Sequence, residues 1–177
     1  MAPVCTKVII IRHAEKPDLN SNILGVTEAG AADKNELTVR GWQRAGALVR
    51  LFNPSSPAEP RTGLAVPGAI FAAPPTDDNP SKRPLHTVAP LAADLKIKVQ
   101  SQFALHQEKA LFAAALDAAP TVLICWHHER IDEIAAFFGV SSGDWPDEVF
   151  DRLLILDKAG DMWKLTLARQ RLLPGDS

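Results

Sequence analysis

The residue types able to do chemistry in this chain concentrate at three places. Arg12 and His13 stand together with Glu15 close behind, Arg83 follows further on, and His127-His128-Glu129 come later still. Arginine offers planar, bidentate hydrogen bonds to phosphate oxygens and stays charged. Two such groups neutralise a dianion and hold it. A histidine between them has its pKa pushed down by its positive neighbours. That keeps one ring nitrogen unprotonated and nucleophilic near neutral pH. The set therefore suits a phosphoryl group. Each member also has a plainer reading by itself: arginines often finish strands, Arg83 suits a solvated helix start, and a His-His pair suits a surface.

Positioning such a set requires particular elements. Val8, Ile9, Ile10 and Ile11 are β-branched and too few for a helix, so residues 8–11 read as a buried parallel strand ending at Arg12-His13. Residues 121–126 are a second buried strand, ending at His127-His128. In open α/β sheets ligands bind beyond the carboxyl ends of the strands. Both long strands deliver histidine at that end, and the combination carries more weight than any single residue.

The remaining elements follow from spacing. Residues 18–36 are polar and glycine-containing and read as a long loop. Thr38 is a plausible N-cap for a helix whose apolar face is Val39, Trp42, Ala45, Gly46, Val49 and Phe52, ending near Asn53-Pro54. A proline-rich stretch, 54–90, holds a short strand at 69–72. Arg83-Pro84 opens a helix with Leu85, Val88, Leu91, Ala92 and Leu95 at helical spacing, and Pro90 inside it costs a backbone hydrogen bond. Then come a short strand at 97–99, a helix at 106–118 broken by Pro120, and a helix after the second buried strand closed by Gly139. A hairpin of 153–157 and 162–167 turns through Lys158-Ala159-Gly160. The alternation predicts an α/β fold: a three-layer α-β-α sandwich with a mainly parallel central sheet and a C-terminal antiparallel hairpin.

Bulk properties narrow the partners. A chain of 177 residues is expected to form a single domain, 1–177. Its net charge of −2 lacks the basic balance of a nucleic-acid binder. The apolar run at 8–11 is too short for a signal core or a membrane span, so neither nucleic acid nor membrane is an expected partner and the expected location is the cytoplasm. Cys5 and Cys125 lie among strand residues and read as reduced core thiols. No Cys-x-x-Cys or zinc-finger spacing occurs.

Arg12-His13-Ala14-Glu15 after a hydrophobic strand resembles the Arg-His-Gly signature of the histidine phosphatase superfamily, the phosphoglycerate-mutase-like family. Leu37-Thr38-Val39-Arg40-Gly41-Trp42-Gln43-Arg44-Ala45 resembles its Leu-Thr-x-x-Gly-x-x-Arg/Gln-Ala helix start. Ser81-Lys82-Arg83-Pro84-Leu85-His86-Thr87 resembles its second-arginine segment, and 122–128 the strand that delivers its second histidine. The four segments occur in family order and span most of the chain.

The resemblance implies a covalent mechanism. His13 attacks phosphorus and becomes a phosphohistidine. Arg12, Arg83 and a second histidine hold the three equatorial oxygens, and water then releases phosphate. No metal and no cofactor is implied; the expected partner is a small phosphorylated substrate or a phosphopeptide. Three departures stand out. Ala14 replaces the signature glycine. Counting from the strand start makes His127 the second histidine, whereas a branch carrying Cys-Trp-Glu-His, with a similar downstream Trp145-Pro146-Asp147, favours His128. The acid/base group follows neither family pattern and leaves Glu15, Glu108 and Glu129 as candidates; for Glu15 a salt bridge to a pocket arginine is an equal alternative. Three other functions compete with a phosphatase: a mutase, for which the chain is short, a phospholigand-binding module without turnover, and a metal hydrolase using His13, Glu15, His127, His128 and Glu129. Neighbouring arginines repel the cation that the last requires.

Overall fold

The structure, a computed structural model, describes residues 4–18, 20–55 and 63–176. Leu19 of the polar loop and 56–62 of the proline-rich stretch fall outside them. One six-stranded sheet forms the middle layer. Its strands are β1 (Lys7–Arg12), β2 (Ala69–Ala72), β3 (Val99–Gln100), β4 (Thr121–Trp126), β5 (Arg152–Ala159) and β6 (Met162–Arg169). Among the described residues, four α-helices cover it: α1 (Val39–Phe52), α2 (Arg83–Leu95), α3 (Glu108–Ala118) and α4 (Ile131–Phe137).

The strand order is β3-β2-β4-β1-β5-β6, with β1 to β4 parallel and β5 and β6 antiparallel to their neighbours. Period-two alternation splits the core in two. Val8, Ile10, Val122 and Ile124 face α3 and α4, where Leu111, Ala115, Ile131 and Ile134 meet them. Ile9, Ile11, Leu123 and Cys125 face α1 and α2, against Leu48, Phe52, Val88 and Leu91. The three-layer α/β architecture with its antiparallel C-terminal hairpin is as expected.

Several local expectations shift. The buried face of α1 runs through Gly41, Arg44, Ala45, Leu48, Leu51 and Phe52, while Val39 is exposed. Arg44 joins the buried face because the carboxylates of Glu15 and Asp176 meet it there. The short strand begins at Val99 rather than at 97, since α2 ends with Lys96 in the left-handed region and Ile97 N–H returns to the Ala92 carbonyl. α3 begins at Glu108, two residues later than expected, after His106 at positive φ. The hairpin strands are longer, and the turn is Gly160-Asp161. The polar loop 18–36 is pinned by isolated bridges at Asp18–Ile23, Gly25–Thr38 and Val26–Ala32.

Candidate active site

The register of the two long strands builds the centre. β1 and β4 pair with Arg12 opposite Trp126, and His13 N–H donates to the Trp126 carbonyl at 3.1 Å, carrying the ladder past both strand ends. His13 and His127 therefore leave adjacent strands at one level, on the face of Ile11 and Cys125. Their ring centroids are 5.6 Å apart, edge to face, and both side chains are buried. His128 begins a 3-10 turn, His128–Arg130, and points elsewhere. Its Nε2 lies 3.2 Å from Asp147 Oδ1. Its Nδ1 lies 2.9 Å from Glu129 Oε2 but is not aligned for a hydrogen bond. The structure thus sets His127, rather than the favoured His128, against His13.

The chain after β1 is clamped from two helices. Thr38 caps α1 by accepting Gly41 N–H at 3.1 Å, and its own N–H donates to the Glu15 carbonyl. A Cβ on Gly41 would stand 2.7 Å from that carbonyl, so the glycine allows α1 to approach. From the other side, Ala14 N–H donates to Thr87 Oγ1 of α2 at 2.8 Å. The Ala14 carbonyl lies 2.7 Å from His13 Nδ1. A carbonyl can only accept, so Nδ1 carries the proton and the lone pair of the neutral ring is on Nε2.

Two arginines act electrostatically on both histidines. Arg12 is fully buried, with its guanidinium 4.0 Å from the Phe150 ring centroid. Nη1 donates to the carbonyls of Pro146, Asp147 and Val149, and Nη2 to Asp147 Oδ1 at 3.2 Å. Arg83 opens α2, and its Nη1 donates to the Lys34 carbonyl. The Nε–H groups of both arginines are buried without a hydrogen-bond partner. An unmet buried donor is costly, more so on a charged group. Two of them beside paired histidines make a site suited to an anion.

The candidate acids sort by their partners. Glu15 is buried and held by Arg40 and by Arg44, with Arg44 Nη2 at 2.8 Å; Arg44 also meets Gln170 and Asp176. Glu108 accepts from Trp126 Nε1, Arg130 and His106 N–H. Glu129 stands half-exposed, and its charge opposes the depression of the His127 pKa and acts on both Arg12 and Arg83. Asp147, also half-exposed, meets Lys16 at 2.8 Å as well as Arg12 and His128. Among the described residues, no group of three or more His, Cys, Asp or Glu gathers as metal ligands.

Electrostatics follows from this packing. Burial is the main force lowering the His13 pKa well below the ordinary histidine value; the Ala14 carbonyl opposes it, and Arg83 and Arg12 add to it. His127 is lowered to about 4, again chiefly by burial. Both rings are neutral at neutral pH. Burial also lowers Arg12 and Arg83, which remain cations. A cavity of about 610 Å³ adjoins the site, lined by Lys16, Pro17, Ile23, Arg40, Asp147 and Phe150 among others. A smaller one, about 340 Å³, lies over Glu15, Arg44 and Asp176.

Asp147, Lys16, Phe150 and the Ala14–Thr87 bond had not been singled out. Thr87 ends the second-arginine segment, and Asp147 lies in the Trp145-Pro146 stretch, but their contacts cross 73 and 135 residues of chain. No side-chain periodicity encodes such pairings.

The fold is one found in solved phosphatase structures. It is shared with the protein histidine phosphatase SixA, solved with tungstate, at a TM-score of 0.56 and 13% identity over 93% of this chain and 97% of that one. It is shared too with a candidate alpha-ribazole-5'-P phosphatase from Escherichia coli K-12, at 0.53 and 14% over 96% and 98%. A third match is a histidine-to-alanine mutant of phosphoserine phosphatase from Entamoeba histolytica bound to phosphoserine, at 0.54 and 13% over 95% and 99%. No protein-family model and no curated protein sequence matches the chain. The resemblance read from the sequence therefore holds at the level of the fold.

Proposed function

We propose that the protein is a metal-independent phosphatase working through a phosphohistidine. The observation that carries this reading is the single tautomer of His13: Nδ1–H is spent on the Ala14 carbonyl, so Nε2 keeps its lone pair, and Arg12 and Arg83, whose charges act on this ring, each hold a buried Nε–H without a partner. In the first step that lone pair forms a bond to phosphorus while the bond to the leaving oxygen breaks. Arg12, Arg83 and His127 bind the three equatorial oxygens as charge spreads over them. In the second step water attacks the phosphohistidine, the N–P bond breaks, and Nε2 recovers its lone pair. Glu129 is the carboxylate best placed to give the leaving oxygen its proton and to take one from water. Glu15 and Glu108 are held by arginines and serve the frame. The fold shared with phosphatases that bind tungstate or phosphoserine supports this reading.

The substrate is a small phosphomonoester or a phosphorylated residue of a peptide, with its leaving group in the cavity of about 610 Å³ beside Lys16 and Phe150. The free, buried Cys5 and Cys125 fit a reducing compartment, which supports a cytoplasmic location. Hydrolysis of p-nitrophenyl phosphate in EDTA tests the activity. The wild type is expected to turn over and His13→Ala to fall to background; equal rates in both contradict it. A binding module without turnover is the second reading, favoured by the ion pairs that occupy Glu15 and Glu108. Tight phosphoester binding with no phosphate release would select it.

A further inference from the structure

We propose that Thr87 is a positioning residue for phosphoryl transfer, tying the backbone that fixes the His13 tautomer to the helix turn that carries Arg83. The inference rests on the phosphatase reading and adds a residue to it. Thr87 is 1% exposed. Its hydroxyl lies 2.8 Å from Ala14 N and 2.7 Å from the Arg83 carbonyl. The directions are forced. Ala14 N–H can only donate, and the Arg83 carbonyl can only accept. The hydroxyl therefore accepts from the first and donates to the second. Ala14's own carbonyl receives His13 Nδ1–H at 2.7 Å. Three hydrogen bonds thus run in one sense from the imidazole to the first turn of α2.

A threonine bonding back to the carbonyl four residues earlier is common in helices and needs no functional account. The bond to Ala14 is different. It joins α2 to the residue after the nucleophile, across the gap between helix and sheet. β1 ends at Arg12, His13 N–H takes the last ladder bond to Trp126, and Ala14 N–H is the next donor with no strand partner. Thr87 meets that donor, which belongs to the 13–14 peptide, and so holds Ala14, whose carbonyl in the next peptide receives His13 Nδ1–H, from the same side chain that meets the Arg83 carbonyl. A shift of α2 along the sheet then moves His13 and Arg83 together, which preserves their spacing.

The test compares Thr87→Val, which keeps the shape and removes the hydroxyl, with Thr87→Ser, which keeps the hydroxyl. Three quantities are read: thermal unfolding, kcat and KM with p-nitrophenyl phosphate, and the His13 tautomer by nitrogen-15 NMR. Thr87→Val is expected to unfold cooperatively and to lose kcat on the order of ten- to a hundredfold with a smaller change in KM. A fraction of its His13 is expected to carry the proton on Nε2. Thr87→Ser is expected to recover most of the rate and the wild-type tautomer. A Thr87→Val protein that loses stability but keeps both kcat and tautomer has lost only a structural bond, and overturns the proposal. So does a Thr87→Ser protein as impaired as Thr87→Val. Should Thr87→Val not fold, Thr87→Ala takes its place with the same expectations. If the wild type shows no His13-dependent hydrolysis, the phosphatase reading fails by itself, and the tautomer comparison still decides the role of Thr87.

Discussion

In the proposed mechanism His13 and Arg83 divide the work at the residue scale. One would present a lone pair and the other a planar cation, and each meets a backbone carbonyl rather than an opposing side chain. Arg12 is more constrained: its Nη atoms hold the 146–149 segment, which leaves Nε as its free donor. The clearest single-residue prediction therefore concerns Arg83. Arg83→Ala is expected to lower kcat by about three decades or more, as arginines that meet transferring phosphoryl groups do. Arg83→Lys should stay low, because an ammonium lacks the planar fork. Steady-state rates with p-nitrophenyl phosphate measure both, and a lysine variant close to wild type contradicts the assigned role.

At the scale of elements, the site is a junction of β1, β4 and the starts of α1 and α2. The approach of α1 depends on Gly41. Gly41→Ala places a Cβ 2.7 Å from the Glu15 carbonyl and 3.0 Å from Leu37 Cβ. Backbone cannot yield as a flexible side chain does. The substitution should destabilise by about 1–3 kcal/mol, read from the urea midpoint; an unchanged midpoint would show that α1 does not need this contact. The elements themselves were largely legible in the sequence. Val8 to Ile11 and the 121–126 run are buried on both faces and can hardly be anything but central strands, and Thr38 announces the start of α1. The edges were harder. Two-residue β3 carries no period of its own, and the left-handed Lys96 that delays it has no glycine to mark it. The burial of Arg44 on α1 was not legible, because its carboxylate partners, Glu15 and Asp176, lie 29 and 132 residues away. Which of His127 and His128 lies beside His13 is a question of strand register, and pairing β1 with β4 brings His127 there.

For the whole molecule, the strand order places β2, β4 and β1 side by side, so the residues after each open onto one end of the sheet. The cost of burying histidines there appears as a dependence of stability on pH. His127 titrates at about 4 in the folded chain, against an ordinary value near 6.5. Below pH 6.5 the unfolded chain binds a proton that the native state refuses, so stability falls as pH drops from 6.5 toward 4, and is fully retained above that window. His127 alone accounts for on the order of 3 kcal/mol, and the depression of His13 acts in the same direction. Urea midpoints across the window should fall with pH, and less steeply in His127→Gln; a flat profile contradicts the burial assigned to these rings. The most direct test of the central claim is to trap the intermediate. A radiolabelled phosphoester is mixed with the protein, quenched in base within a turnover and followed by peptide mapping. The expected result is one base-stable, acid-labile phosphoryl group on His13, absent from His13→Ala. Turnover that proceeds with no label on the protein, or label that persists in His13→Ala, contradicts the account.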